Sequence, residues 1–149
     1  MPTASDKLRQ TILESEPRLR AIADLSASAN PRGGEDWSPK QELGHLIDSA
    51  TNNRVRFVRA SLDGQFEGQS YDGRGWVDLG GYADMPWLEL VELWQRMNLA
   101  LAAAVRRIPE SRLAAPCRIA DNPAVTLEFL IEDYVGHLRH HIDHILAAA

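Results

Sequence analysis

The chain has 149 residues, of which 44% are hydrophobic and 25% charged, and it carries a formal net charge of -5. That mix is ordinary for a globular protein and excludes whole-chain disorder, and the length predicts one domain over residues 1–149. The acidic balance gives a long-range field of the wrong sign for nucleic acid or an anionic membrane, so neither is an expected partner.

Only one cysteine is present, Cys117, which excludes an intrachain disulfide and a thiolate metal cluster within one chain. It reads as a small, semi-apolar residue in a connector. The polar stretch Met1–Lys7 lacks an apolar signal core, and no apolar run reaches the roughly 18 residues of a membrane span. A soluble, cytoplasmic protein is the expectation.

In chain order, Leu8, Ile12, Leu19, Ile22 and Leu25 fall at helical spacings and predict a first helix over Ser5–Leu25, with a kink or restart near Ser15–Pro17. Ser26–Asp36 reads as a loop, with Asn30-Pro31 and Gly33-Gly34 as breakers. Ser38, Pro39 and Gln41 form a helix-start signature, and the second helix should run to Leu62. Leu43, Leu46, Ile47, Ala50, Phe57, Val58 and Ser61 share one side of it. Asp63–Ala83 holds six glycines together with Phe66, Tyr71, Trp76 and Tyr82, and reads as a loop that packs aromatics on the bundle or covers a site. Asp84 and Pro86 predict the start of a third helix, whose stripe is Trp87, Val91, Trp94, Met97, Leu101, Val105 and Ile108. Pro109, Pro116 and Pro123 punctuate an extended connector, and Thr126 should cap a last helix that runs through Ile145 to the C-terminus. Four amphipathic helices bury their stripes most economically against one another, so the fold class is all-α, a four-helix bundle with long connecting loops. Loops of this length do not force an up-down-up-down order.

Four of the five histidines, His137, His140, His141 and His144, fall within eight residues of the last helix. His137 and His141 lie about 40° apart in angle and about 6 Å along the axis, a spacing at which two imidazoles converge on one ion. His144 shares that face two turns from His137, while His140 is turned about 60° off it. The bland reading is a pair of core histidines, with His140 and His144 answering the helix dipole. Leu138 follows His137 where a zincin requires Glu, and only Glu42-x-x-His45 resembles half of a di-iron site, so neither standard pattern fits. His45 shares its side of the second helix with Gln41, Glu42, Asp48, Ser49, Asn52 and Arg56. By periodicity alone this strip is either a solvated face or the wall of an internal cavity.

Three segments in order carry a resemblance over nearly the whole chain. Trp37 to Ser49, continuing through Asn52 and Arg56-Phe57, is similar to the second helix of the DinB-like, or YfiT-like, metalloenzyme superfamily. Asp133 to Ile145 is similar to its last helix. Tyr71-Asp72, Trp76 and the Tyr82–Trp94 segment resemble one branch of it. The resemblance implies a bundle with a divalent metal at one end, held by His45, His137 and His141. The family often has Gln where this chain has His144.

Three imidazoles with one open position is the pattern of a catalytic zinc-type site. Zinc or nickel is the expected ion, with manganese and iron as further candidates. The resemblance further implies a metal-dependent hydrolase or a thiol S-transferase acting on a small molecule, with a low-molecular-weight thiol as cosubstrate. In that frame Asp48 orients a histidine or acts as a base, Arg56 grips a substrate carboxylate, and Asn52 lies beside them. Tyr71, Asp72 and Trp76 would cover the pocket mouth. A non-catalytic module that binds metal and a small ligand is the alternative, and structural histidines in an interaction protein are a third reading. A homodimer is the expected assembly.

Overall fold

The computed structural model describes residues 3–30 and 36–148. The expected breakers Pro31 and Gly33-Gly34 lie outside the described residues. Eleven elements follow in order, starting with α1 (Ala4–Arg20), α2 (Asp24–Ser28) and α3 (Pro39–Asp63). Next come β1 (Phe66–Gly68), α4 (Gly73–Gly80), a 3-10 turn (Tyr82–Asp84) and α5 (Trp87–Arg106). A second 3-10 turn (Glu110–Arg112), β2 (Pro116–Ile119), β3 (Val125–Thr126) and α6 (Leu127–Ala148) complete the chain.

The four long helices form the bundle. Packed pairs are α1 with α5, α5 with α3, α3 with α6 and α6 with α1. Two of the three consecutive pairs, α1 with α3 and α5 with α6, therefore lie across the diagonals, and the up-down-up-down neighbour order is not used. This arrangement sets α3 against α6. The two run antiparallel, because Glu42 near the start of α3 meets His141 and His144 near the end of α6.

Local chemistry explains most boundaries. Thr3 and Asp6 form a capping box on α1, and Ser38 and Gln41 form one on α3 with Pro39 in its first turn. Gly64, at φ 76°, closes α3 in the left-handed region that glycine enters without a Cβ penalty. Thr126 Oγ1 accepts from the Phe129 N–H at 3.1 Å, as expected of a cap.

Four expectations are corrected. The first helix stops at Arg20, and Leu25 belongs to the separate α2, where it is 84% exposed. Pro17 sits inside α1, beyond its first turn, and the helix does not restart there. The glycine-rich Asp63–Ala83 stretch is structured as β1, α4 and a 3-10 turn, because Asp72 caps α4 by accepting from the Gly75 N–H and the aromatics pack it down. Asp84 does not cap α5; the Asp24 carboxylate, brought from α2, accepts from the Trp87 N–H at 2.8 Å instead. The proline connector also contains a small sheet of order β1-β2-β3, with Cys117 opposite Phe66 in parallel and opposite Val125 in antiparallel register.

The core lies on the bundle axis. Leu8, Ile12, Leu43, Phe57, Trp94, Leu101, Ile131 and Ile145 are at most 1% exposed. Each such side chain contributes about 1.5–3 kcal/mol of transfer free energy. Trp87 is locked by its indole N–H on the Leu19 carbonyl at 2.7 Å, and Tyr134 by its hydroxyl on Asn98 at 2.5 Å.

Candidate metal centre

The polar strip of α3 is not a solvated face. Glu42, Asp48 and Ser49 are buried, and His45 is half-buried against α6. One ligand atom from each of His45, His137 and His141 lies within 4.8 Å of the others. His137 and His141 present their Nε2 atoms to each other at 3.1 Å. The ring of His45 stands edge-on to both, with centroids 5.3 Å from His137 and 4.9 Å from His141. Trp37 covers the outer side of His45 at 4.9 Å between centroids. His140 stacks on His144 and stays outside the trio.

Glu42 sets the chemistry of this cluster. Its Oε2 lies 2.9 Å from Nδ1 of His141 and 2.7 Å from Nδ1 of His144. A carboxylate at Nδ1 holds the imidazole proton there and leaves the Nε2 lone pair bare, which is the tautomer a metal requires. Burial works to raise the Glu42 pKa, but the hydrogen bonds from His141 and His144 outweigh it and hold the carboxyl below its ordinary range. Burial together with the charges of His141 and His137 pushes His45 down to about 4, and burial lowers His137 as well. These two rings are therefore neutral at pH 7 and carry lone pairs.

The donor set fits a divalent ion. Two nitrogens at about 2.0–2.1 Å from a tetrahedral ion stand about 3.3 Å apart, close to the spacing of the two Nε2 atoms. His45 Nδ1 is buried and has no hydrogen-bond partner, so that ring is not held in place by a structural hydrogen bond at this atom.

The other candidate residues are arranged around this centre. Asp48 does not touch the trio. Its Oδ1 accepts the Tyr82 hydroxyl at 2.5 Å, its Oδ2 is buried without a partner, and burial raises its pKa against the Tyr82 hydrogen bond. Asn52 donates to the Asp48 backbone carbonyl at 2.9 Å. Arg56 donates to the Gln69 carbonyl and lies 5.8 Å from the Tyr71 ring centroid. Tyr71 and Arg56 line a groove that His137 also lines. Trp76 packs on Tyr71, yet with Asp48, Asp72 and Tyr82 it lines a separate hollow on the α4 side.

Two contributors were not assigned from the sequence. Glu42 was legible as half of a di-iron pattern and as a member of the polar strip beside His45, but not as the partner of His141 and His144. Tyr82 approaches α3 at Gly44, where any side chain would overlap its ring. Cys117 is fully buried in β2 and lines the groove beside His137, and burial pushes its thiol pKa up.

The chain belongs to the DinB superfamily, whose family model matches residues 7–145. It is similar to the Bacillus subtilis (strain 168) protein named "Putative metal-dependent hydrolase YfiT", at 24% identity over 94% of this chain and 81% of that one. The solved structure of YfiT from Bacillus subtilis, described as having an unusual four-helix bundle topology, superposes with a TM-score of 0.86 at 23% identity, over 97% of this chain and 83% of that one. The mycothiol-dependent maleylpyruvate isomerase superposes with a TM-score of 0.77 at 11% identity, over 95% of this chain and 59% of that one. The diagonal placement of consecutive helices is thus a property of a shared fold. Among the described residues no helix is long and apolar enough to cross a membrane.

Proposed function

We propose that the chain is a metal-dependent enzyme acting on a small molecule, with His45, His137 and His141 as the ligands of one divalent ion. The observation that carries this reading is the convergence of three imidazole nitrogens from α3 and α6 within 4.8 Å. Zinc or nickel suits three imidazoles, with manganese and iron behind them. A divalent ion held there supplies Lewis acidity to a substrate carbonyl or to an incoming nucleophile. Glu42 fixes the tautomer of His141 and shares its charge with His144, so the unusual His144 acts as a brace for Glu42. Asp48 and Tyr82 hold a proton between them on the neighbouring face of α3.

The name of YfiT supports a hydrolytic reaction, and the mycothiol dependence of the isomerase supports a low-molecular-weight thiol as cosubstrate. The second reading, a non-catalytic module that holds metal and a small ligand, is favoured by one observation. Asp48, the expected base, makes no contact with the histidine trio.

Elemental analysis of untagged protein tests the site. About one metal ion per chain is expected in the wild type and almost none in His137→Ala. Absence of metal from both after reconstitution with zinc, nickel and manganese overturns the reading. Turnover of ester and thiol-adduct panels by the loaded protein separates enzyme from binding module.

A further inference from the structure

The groove beside the histidine trio lies between α3, α6 and the strands β2 and β3, and encloses about 370 Å³. Both His137 and Phe129 line it. They are eight residues apart on α6, which makes the groove about 12 Å long. Two kinds of charge line it. Asp133, one helical turn before His137, lies within the electrostatic reach of that histidine. Arg56, eleven residues beyond His45 on α3, supplies the cation.

Arg56 has a hydrogen bond to the Gln69 carbonyl and a stacking contact with Tyr71. Among the described residues no carboxylate lies within ion-pair distance of it, Asp133 included. A guanidinium carries five donors in a planar fork that matches a carboxylate edge-on. Here one donor is used, the ring of Tyr71 limits the plane, and the group is half-buried in a groove rather than spread on the surface. Ile119, Val125 and Leu130 add apolar walls.

We infer that this groove takes a substrate with one terminal carboxylate on a short apolar chain, the carboxylate held by Arg56 and the reacting end placed at the His137 end. The inference rests on the metal-centre reading only for what happens at the far end of the ligand. The Arg56 subsite stands without it.

Two matched probe pairs separate the two. Metal-loaded protein is titrated calorimetrically with ω-mercaptohexanoate and with ω-mercaptohexanol, which differ only in the terminal group. Metal-stripped protein is titrated with hexanoate and with hexanol while the Nε–H resonance of Arg56 is followed by NMR. The acid should bind about tenfold or more tighter than the alcohol in wild type, as expected for a charge-assisted bidentate pair. Arg56→Gln should abolish that preference with metal content unchanged, and Arg56→Lys should keep part of it. Hexanoate should shift the Arg56 resonance and hexanol should not. Equal binding of acid and alcohol by wild type, or a preference that survives Arg56→Gln, overturns the inference. Loss of metal binding with hexanoate still shifting Arg56 overturns the metal-centre reading and leaves this one standing.

Discussion

Between α1 and α5 the bundle is closed by Leu8, Ile12, Leu19, Trp87, Trp94 and Leu101, all essentially without solvent contact. Beside it, α3 buries Glu42 against α6 and Asp48 against Tyr82, half-buries His45 and leaves His45 Nδ1 and Asp48 Oδ2 without partners. An apolar pair is stabilised by the area it removes from water. A polar pair of this kind is held together by its neighbours, because desolvated groups with incomplete hydrogen bonding oppose folding. The α1–α5 side therefore reads as the structural half and the α3–α6 side as the half shaped for a ligand. The structural side carries polar groups too: the Trp87 indole is satisfied on the Leu19 carbonyl and the Ser5 hydroxyl on the Ala102 carbonyl, while the Trp94 indole N–H is buried without a partner.

The largest expected effect falls on the structural half. Trp87→Ala removes a fully buried ring and one of the two donors to the Leu19 carbonyl, which keeps the Ile22 N–H, and should destabilise the protein by about 3–5 kcal/mol in urea unfolding. Metal content of the folded fraction should not change. If metal were lost along with stability, the two halves would not be separable in function.

Glu42→Gln acts on the other half. The side chain keeps its size and loses its charge, so His141 and His144 lose an ionised acceptor. Metal affinity should fall about 10–100-fold in competition with a chromogenic chelator. His144→Ala should fall short of that, because Glu42 still holds His141; an equal loss would promote His144 to a ligand.

The pH dependence of the metal-free protein sharpens the contrast further. His45 has a folded pKa of about 4 against an unfolded value near 6.5, so below pH 6.5 the unfolded chain binds the proton first. Stability should be complete above about pH 6.5 and decline as pH falls towards about 4. His137, also lowered, acts in the same direction. His45→Asn should flatten this decline in acid-titration melts, and an unchanged profile would assign the pH effect to other groups.

The smallest effect returns to the structural half. Thr3→Ala removes the capping box of α1 and should cost about 1 kcal/mol, read as a shift of the urea midpoint.

The periodic stripes of α3, α5 and α6 were legible in the sequence because a 3.6-residue repeat of apolar side chains has one good burial solution. The Ser38-Pro39-Gln41 start of α3 and the Thr126 cap were legible for the same local reason: caps satisfy amides within three residues of themselves. The histidine spacing on α6 was legible too, as was the kinship with the DinB superfamily carried by three short segments. What was not legible depends on contacts distant in sequence. The Asp24 cap on α5 spans 63 residues, and the Glu42 contact with His144 spans 102. The structure of the glycine-rich segment depends on Tyr82 fitting over Gly44. Local sequence set which helices form and which face of each is apolar. Only the tertiary structure decided that α3 lies beside α6, and hence that His45 meets His137 and His141, because long loops leave several helix orders open and packing of all four stripes selects among them.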